Sequence, residues 1–202
     1  MYDLVEIFES LQGEGRNTGR PCVFLRFAGC NLKCPWCDTD VTRRFSASCE
    51  EILKDLKGFR AKSVILTGGE PTLQPDMPEL VAALKRAGYW IAVETNGTRD
   101  VDWLSFVDYV ACSPKAEFAE LYRNGKGPVP SLRAADEVRV VASDEAAVAF
   151  CREIRKAIAA TDYYVSPCDR GGEIDFATAK SVLAQLDGWS LSVQLHKLLG
   201  FR

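Results

Sequence analysis

Short apolar runs rich in Val, Ile, Phe and Tyr alternate along this chain with segments of helical period. Seven of these runs have the length and composition of β-strands. They cover residues 22–29, 63–68, 90–96, 108–114, 137–142, 162–167 and 190–195. The first stretch, residues 4–10, can form an additional strand.

Four longer segments between these strands carry apolar residues at helical spacing. They cover residues 49–59, 78–88, 144–160 and 175–188. Ser48 and Glu51 have the spacing of a capping box, which predicts that the first helix begins at residue 49. Pro78 and Gly88 suit the first turn and the end of the second helix.

The alternation of strands and helices predicts a parallel α/β sheet with right-handed crossovers. Too few strands are predicted to close a full barrel of eight units. We therefore expect an incomplete β/α TIM-type barrel of about six parallel strands, with a doubly wound open sheet as the alternative. In either fold the ligand site lies beyond the carboxyl ends of the strands. Residues 1–202 contain no repeat or linker and are predicted to form one domain.

The charge and hydropathy of the chain argue against two classes of partner. Lys and Arg number 25 against 28 Asp and Glu, a net charge of −3, whereas non-specific nucleic-acid binding needs clustered cations. No apolar run approaches the roughly 20 residues that span a bilayer, and the acidic first residues are not a signal peptide. We therefore expect a cytoplasmic protein with reduced thiols and with no nucleic-acid or membrane partner.

Three cysteines, Cys30, Cys34 and Cys37, lie close together in the segment 29–40. Structural zinc is held by four Cys or His ligands, usually as two short-spaced pairs, and the one histidine, His196, is near the other end of the chain. An iron–sulfur cluster fits better, because three thiolates leave one iron open to a substrate or cosubstrate. Cys22 is a poor fourth ligand, because its predicted strand places it about 25 Å from Cys30.

The other cysteines are scattered, and we expect most of them to be small apolar residues of the core. They are Cys22, Cys49, Cys112, Cys151 and Cys168.

The spacing of the three close cysteines, with Trp36 directly before Cys37, resembles the signature of the radical S-adenosylmethionine superfamily. The resemblance implies a partial β/α barrel and a [4Fe-4S] cluster whose open iron binds S-adenosylmethionine. One electron from the cluster would then produce a 5′-deoxyadenosyl radical, which removes hydrogen from the substrate. Residues 67–71, TGGEP, follow a predicted strand and match the superfamily motif that contacts the methionyl amino group.

Several further short motifs resemble one family in that superfamily, the 7-carboxy-7-deazaguanine synthases. They are LQGEG at 11–15, Arg26, CDT at 37–39, ETNG at 94–97, SPK at 113–115 and QLHKLLG at 194–200. This resemblance implies conversion of 6-carboxy-5,6,7,8-tetrahydropterin into 7-carboxy-7-deazaguanine with loss of ammonia, in the biosynthesis of queuosine and other 7-deazapurines. Proteins that activate glycyl-radical enzymes share the cluster and GGEP motifs and are the alternative. A small zinc-bound interaction domain is the non-enzymatic alternative.

The resemblance also assigns roles to individual residues. The cluster ligands are Cys30, Cys34 and Cys37, and the ligand of a bound Mg²⁺ is Thr39. The contacts of S-adenosylmethionine are Trp36, Cys37, Asp38, Gly69, Ser113, Pro114, Lys115, Ser166, Pro167, Cys168 and Asp169. The substrate contacts are Leu11, Gln12, Gly13, Glu14, Arg26, Thr67, Glu94, His196 and Arg202. Serine at position 166 departs from the glutamine-proline that the family often has there. The implied partners are a small pterin substrate, an external electron donor such as flavodoxin or ferredoxin, and a second copy of the chain in a homodimer.

Side-chain chemistry agrees with two of these assignments. Arg26 is a fixed cation in an apolar strand and suits bidentate binding of a carboxylate; an ion pair with Glu or Asp is the alternative. A pterin presents N–H donors at its 2-amino-4-oxo edge, and Glu94 at a strand end can accept them; a solvated loop charge is the alternative. His196 can equally serve in the core or cap a helix.

Overall fold

The computed structural model describes residues 1–118 and 131–201. Its strands form one sheet, and they follow the predicted runs closely. They are β1 (Tyr2–Leu11), β2 (Pro21–Phe27), β3 (Phe45–Ala47), β4 (Ser63–Gly68), β5 (Trp90–Thr95), β6 (Tyr109–Cys112), β7 (Ala134–Ala142), β8 (Ala159–Asp169), β9 (Ile174–Asp175) and β10 (Ser190–Leu191).

The sheet is built around six neighbouring parallel strands in the order β8-β7-β6-β5-β4-β2. The order follows the chain without the reversal that defines a doubly wound sheet. The partial barrel is therefore confirmed and the open-sheet alternative is wrong. Strand β1 continues the sheet antiparallel to β2, and the short β3 pairs antiparallel with β1.

Four helices pack on the sheet between its strands, and a fifth follows the last strand and lines the site. They are α1 (Cys49–Leu56), α2 (Met77–Arg86), α3 (Ala147–Ala157), α4 (Phe176–Leu183) and α5 (Leu195–Leu199). The predicted capping box is present, because the Ser48 side chain accepts from the Glu51 N–H and the Glu51 carboxylate accepts from the Ser48 N–H.

Several predicted boundaries are wrong, among them the end of the fourth helix, which was expected at residue 188 and lies at Leu183. Residues 190–195 were expected to form one strand, but β10 ends at Leu191 and α5 begins at Leu195. The chain leaves the sheet there because the Leu195 N–H donates to the Gly13 carbonyl oxygen. The third helix was expected to reach residue 160, but β8 begins at Ala159, whose N–H donates to the Arg133 carbonyl oxygen.

The sheet separates two apolar regions of very different size. The main core lies between the sheet and the helices and contains residues such as Leu25, Leu66 and Ile91. A smaller cluster fills the inside of the barrel toward the amino ends of the strands. Its members are Phe8, Cys22, Phe24, Ile65, Ala92, Tyr109 and Ala111, with Trp90 packed against them. Because side chains alternate between the faces of a strand, polar residues two positions further along these strands lie above this cluster.

The scattered cysteines behave as predicted. Cys22, Cys112, Cys151 and Cys168 are buried, Cys49 is half-buried, and all eight cysteines of the chain are free thiols. Within the part of the chain that the structure describes, no helix is long and apolar enough to cross a membrane.

Candidate functional site

Two adjoining cavities lie beyond the carboxyl ends of the parallel strands, where the sequence predicts the site. The loop-side cavity, of about 350 Å³, is lined by Cys30, Cys34 and Cys37 among other residues. The hairpin-side cavity, of about 510 Å³, is lined mainly by residues of β1, β2 and α5. Both cavities share the residues Glu14, Asp38, Thr39, Thr67, Glu94 and Gln194.

The three cysteines lie on the segment that follows β2, and each faces the loop-side cavity. Burial raises the pKa of the Cys34 thiol to about 11 and also raises the pKa of Cys30. Within residues 1–118 and 131–201, no three Cys, His, Asp or Glu side chains lie close enough together to hold one metal ion. Structural zinc needs convergent ligands, whereas in an iron–sulfur cluster each thiolate binds a different iron.

The TGGEP segment supports the base of the cysteine segment through its backbone. The Gly69 N–H donates to the Phe27 carbonyl oxygen, and the Glu70 N–H donates to the Gly29 carbonyl oxygen, both at 2.9 Å. A Cβ at position 69 would lie 1.7 Å from the Gly29 carbonyl oxygen. Glycine is therefore required there by close contact, and the side of the cavity next to the cysteines is bare backbone.

A chain of hydrogen bonds links Glu70 to the cysteine segment. The carboxylate of Glu70 is fully buried and accepts from the Thr95 hydroxyl and the Asn96 N–H, each at 2.7 Å. The Asn96 side-chain amide donates to Asn31 Oδ1 at 2.9 Å, and the amide of Asn31 donates to the hydroxyl of Thr98. Glu70 thus orders the ETNG turn, and that turn holds the residue directly after Cys30. The sequence analysis missed Asn31 and Asn96, although the ETNG motif was noted.

The SPK segment forms the wall opposite the cysteines. Lys115 Nζ donates to the Ser113 hydroxyl at 2.7 Å and lies 5.3 Å from the centre of the Trp36 ring. Trp36 in turn donates its indole N–H to Glu117. These contacts bring the predicted cofactor residues Trp36, Ser113 and Lys115 together in the loop-side cavity.

Glu94 lies on the wall between the two cavities and is held from three sides. It accepts from Gln12 Nε2 at 3.0 Å, from the Thr67 hydroxyl at 2.8 Å and from Arg139 Nη1 at 3.1 Å. Burial alone would raise the pKa of Glu94, but the charge of Arg139 and the hydrogen bonds from Thr67 and Gln12 hold it below its usual value. The carboxylate is therefore ionised near neutral pH, and the solvated-loop alternative is wrong.

The two glycines of the QGEG turn are required by close contacts. A Cβ at Gly13 would lie 1.9 Å from Nδ1 of His196. Gly15 has φ of +67°, and a Cβ there would lie 2.3 Å from the Glu137 carboxylate. The turn therefore fits between α5 and β7 and carries Gln12 and Glu14 into the hairpin-side cavity. Burial lowers the pKa of His196, so its imidazole is neutral near neutral pH.

Arg26 lines the hairpin-side cavity and pairs with a neighbour on β1. Its Nε donates to Glu6 at 2.8 Å, which is the ion pair named as the alternative to carboxylate binding. A guanidinium carries five N–H donors. The pair with Glu6 is therefore compatible with a contact between Arg26 and an anionic ligand.

Arg139 is a central residue of the site that the sequence analysis missed. It lies on β7, its side chain is 6% exposed, and it pairs with Glu14, Glu94 and Glu137. The available signal was the pattern of charges in the strand EVRVVA, where Glu137 and Arg139 alternate with valines. Two charges on one face of a predicted barrel strand indicate a polar interior at that level.

Lys197 on α5 was also missed as a site residue, although it belongs to the QLHKLLG motif. Its ammonium contacts Asp38 of the cysteine segment, and it donates to Asp169 at the end of β8 at 2.5 Å. Burial lowers the pKa of Lys197, but the bonds to Asp169 and Asp38 outweigh that effect and raise it overall. This ion pair joins the last helix to the segment that carries the cysteines.

The predicted residues divide between the two cavities. Those assigned to the cofactor that line the loop-side cavity are Trp36, Cys37, Asp38, Gly69, Ser113 and Lys115. Those assigned to the substrate that line the hairpin-side cavity are Leu11, Gln12, Glu14, Arg26, Thr67, Glu94 and His196. Gly13 lies beneath His196, and Arg202 is outside the described residues.

Other predicted cofactor residues line neither cavity. They are Pro114, Ser166, Pro167, Cys168 and Asp169. Asp169 lines a third cavity, of about 600 Å³, on the far side of Trp36 and Cys37. Ser166 is 3% exposed, and its hydroxyl has no hydrogen-bond partner among the described residues. Ser166 pairs in the sheet with Val141, which lines the loop-side cavity. A ligand bound in that cavity could therefore hydrogen-bond to the Ser166 hydroxyl.

Comparison with known proteins gives one consistent set of matches. Residues 25–138 match the Radical SAM superfamily. Proteins named 7-carboxy-7-deazaguanine synthase from Haemophilus influenzae and Neisseria meningitidis are 43% and 44% identical to this chain, over 98% of it and 93% of each relative. The protein of the same name from Bacteroides thetaiotaomicron is 37% identical over the full length of both. A crystal structure of QueE from Escherichia coli has the same fold, with a TM-score of 0.77 and 24% identity over 96% of this chain and 94% of that one.

Proposed function

Because this chain belongs to the 7-carboxy-7-deazaguanine synthase family of radical S-adenosylmethionine enzymes, we propose that it converts 6-carboxy-5,6,7,8-tetrahydropterin into 7-carboxy-7-deazaguanine and ammonia. Substrate and products balance without net oxidation, so S-adenosylmethionine can be regenerated in each turnover. One observation carries the proposal. Residues assigned to the cofactor and residues assigned to the substrate line two adjoining cavities that share Thr39, Thr67 and Glu94.

In the loop-side cavity, Cys30, Cys34 and Cys37 would hold a [4Fe-4S] cluster that leaves one iron for S-adenosylmethionine. When bound, the cluster and S-adenosylmethionine supply one electron and a radical that removes hydrogen from the substrate. The chain itself excludes side chains next to the cysteines, because residues 68 and 69 are glycines packed on the backbone of residues 27 and 29. Trp36, Ser113 and Lys115 also line this cavity and would contact the nucleoside part of the cofactor.

In the hairpin-side cavity, Glu94 and Glu14 would accept the N–H donors of the pterin edge. Gln12 and Thr67 hold the Glu94 carboxylate toward the cavity, at 3.0 and 2.8 Å. Arg26 would bind the carboxylate of the substrate, and the neutral His196 would donate or accept a single hydrogen bond above Gly13. The reacting carbon would then lie on the shared wall, toward the loop-side cavity.

Thr39 is proposed as a protein ligand of Mg²⁺. It is half-buried and lines both cavities, so a cation bound to it can also contact the substrate carboxylate. Mg²⁺ commonly takes few protein ligands and completes its shell with water and ligand oxygens. The carboxylate of the neighbouring Asp38 is paired with Lys197, so the hydroxyl of Thr39 is the proposed oxygen donor.

The remaining parts of the proposal concern the whole protein. Residues 1–202 are taken as one domain, with residues 29–40 as the cluster-binding loop. An external donor such as flavodoxin or ferredoxin would deliver the electron near the exposed Cys37, and two copies would form a homodimer. The enzyme is also proposed to act in the cytoplasm, where thiols stay reduced.

The test is anaerobic reconstitution with iron and sulfide, followed by turnover with S-adenosylmethionine, Mg²⁺ and 6-carboxytetrahydropterin. We expect a product with the mass of carboxydeazaguanine, more than one turnover per S-adenosylmethionine consumed, and a lower rate when Mg²⁺ is omitted. Formation of 5′-deoxyadenosine without that product would contradict the proposed substrate and would favour activation of a glycyl-radical protein. A protein that takes up zinc but no iron would contradict the cofactor as well.

A further inference from the structure

Arg139 is the only guanidinium among the described residues that pairs with three carboxylates. Its Nε donates to Glu137 Oε1 at 2.5 Å, and its Nη1 donates to Glu14 Oε2 at 2.6 Å and to Glu94 Oε1 at 3.1 Å. Three carboxylates carry −3 and the guanidinium carries +1, so the group has a net charge of −2. An excess of buried negative charge is stable only if each oxygen has donors.

The three carboxylates are not equivalent. Glu137 is fully buried, and its oxygens accept from Arg139, from the Arg16 N–H at 2.9 Å and from the Tyr109 hydroxyl at 2.8 Å. Glu14 and Glu94 are 20% and 24% exposed, and both line the two cavities. Glu137 therefore anchors the guanidinium, and a single nitrogen of that guanidinium fixes the two carboxylates that face a ligand.

Glu14 has acceptor capacity left for a ligand. Among the described residues, its Oε1 has no hydrogen-bond partner, while its backbone N–H donates to the side chain of Gln12 at 3.1 Å. Gln12 also donates to Glu94. Arg139 thus ties the two carboxylates to each other, and Gln12 ties the Glu94 carboxylate to the backbone of Glu14.

We propose that Arg139 is a positioning residue, which holds Glu14 and Glu94 at one spacing so that they form a joint acceptor for the N–H edge of a 2-amino-4-oxo ring. This inference rests on the proposed function and adds to it the residue that positions the two carboxylates. A ring that lacks the 2-amino group would leave one buried carboxylate without its donor, which is a strong basis for selectivity.

The charged and titratable groups around Glu94 determine how the site responds to pH. They are Arg139 and Glu137 on β7, Glu14 after β1, Cys22 on β2 and His196 on α5. Arg139 is the main favourable charge, and it opposes the effect of burial on the pKa of Glu94. Removing Arg139 would raise the pKa of Glu94. As the pH falls, ligand binding would therefore be lost at a higher pH than in the wild type.

The experiment compares Arg139→Met and Arg139→Lys with the wild-type holoenzyme. Two probes are used, 2-amino-4-oxopteridine and 4-oxopteridine, and their dissociation constants are measured by fluorescence between pH 5 and 9. The wild type should prefer the amino compound by about 100-fold or more, as sites built around a hydrogen-bonding partner do. Arg139→Met should lose most of this preference. As the pH falls, its binding should also weaken at a higher pH than that of the wild type. Arg139→Lys should recover part of both, because lysine keeps the charge but not the fork of donors.

Binding of these probes requires no turnover, so the result is separate from the test of the proposed reaction. Arg152→Met on α3 is the matched control, because Arg152 is exposed and donates to a carbonyl oxygen away from the site. If Arg139→Met does not fold, Glu14→Gln leaves Arg139 in place and should reduce the preference by itself. A lower melting temperature in Arg139→Met, with preference and pH profile unchanged, would show that Arg139 is only structural and would overturn the proposal.

Discussion

The loop-side cavity and the hairpin-side cavity share a wall, but the groups that line the two cavities differ in kind. In the loop-side cavity, the side next to the cysteines is backbone, because residues 68–70 pack against residues 27–29 through glycines and main-chain hydrogen bonds. The hairpin-side cavity is lined by polar and charged side chains from β1, β2, β5 and α5, such as Glu6, Arg26, Glu94 and Lys197. Under the proposed function, bare backbone lies beside the cofactor and charged side chains from several strands lie around the substrate.

This difference also determines how a substitution changes the free energy of each cavity. Backbone contacts at glycines depend on the absence of a side chain, so almost any substitution disturbs them. The carboxylate and guanidinium groups depend on one another, so removing one partner leaves the others buried and unpaired. The two cavities should therefore respond differently to matched substitutions.

The largest effect should come from a cysteine of the loop-side cavity. In Cys34→Ser the hydroxyl replaces a thiolate ligand, so iron and sulfide content after reconstitution and cleavage of S-adenosylmethionine should both fall to background. Cys49→Ser on α1 is the control and should keep both. Normal iron content in Cys34→Ser would refute its assignment as a ligand.

A pair of glycine substitutions compares the two cavities directly. Gly69→Ala would place a methyl group 1.7 Å from the Gly29 carbonyl oxygen, and Gly13→Ala would place one 1.9 Å from Nδ1 of His196. The first should reduce iron retention and cofactor cleavage. The second should leave cofactor cleavage intact and reduce kcat/KM for the pterin by about 100-fold, as expected for a misplaced substrate contact.

Gly58→Ala is the control for this pair, because its methyl group would meet only the Asp55 carbonyl oxygen, at 3.2 Å. Iron content, cofactor cleavage and pterin kinetics are measured on all three variants. Equal loss of every activity in Gly69→Ala and Gly13→Ala would mean that the two cavities do not act separately.

A smaller effect is expected from the amide pair that holds the cysteine segment. Asn31→Ala removes the bond from Asn96 and the bond to Thr98, each worth about 1 kcal/mol. Iron should then be lost to a chelator roughly 5- to 30-fold faster than in the wild type. Gln185→Ala, at an exposed amide after α4, should not change that rate. An unchanged rate in Asn31→Ala would mean that the ETNG turn does not stabilise the cluster segment.

The smallest effect should come from the capping box of α1, which lies outside both cavities. Ser48→Ala removes the N-cap acceptor and should cost about 1 kcal/mol, which lowers the melting temperature by about 2–4 °C in a chain of this size. Turnover of the reconstituted enzyme should not change. A parallel loss of activity would show that the helical layer controls the site.

The same contrast explains what could be predicted from the sequence. The cysteine spacing, the GGEP turn and the strand ends are local patterns, and the residues that they name line the loop-side cavity. Arg139 and Lys197 could not be assigned in this way, because their partners are distant in the chain. Arg139 pairs with Glu14 across 125 positions, and Lys197 pairs with Asp38 across 159. Only the barrel, which brings the ends of the chain together, determines which charges meet.

The error at residues 190–195 has the same physical origin. An apolar alternation like that of SLSVQL ordinarily predicts a strand. Here the chain bends away at Ser192, whose hydroxyl accepts from the Gly15 N–H at 2.9 Å. A contact between residues 177 positions apart outweighed the local pattern.

The pair between Lys197 and Asp38 also has a consequence for the synthesis of the protein. The two residues are 159 positions apart, and a ribosome that adds about 5–20 residues per second needs roughly 8–32 s to cover that distance. During that interval the three cysteines have been synthesised, but α5, the helix whose Lys197 pairs with their segment, has not. A newly made chain is therefore most exposed to oxidants and to the wrong metal ion before its last residues emerge.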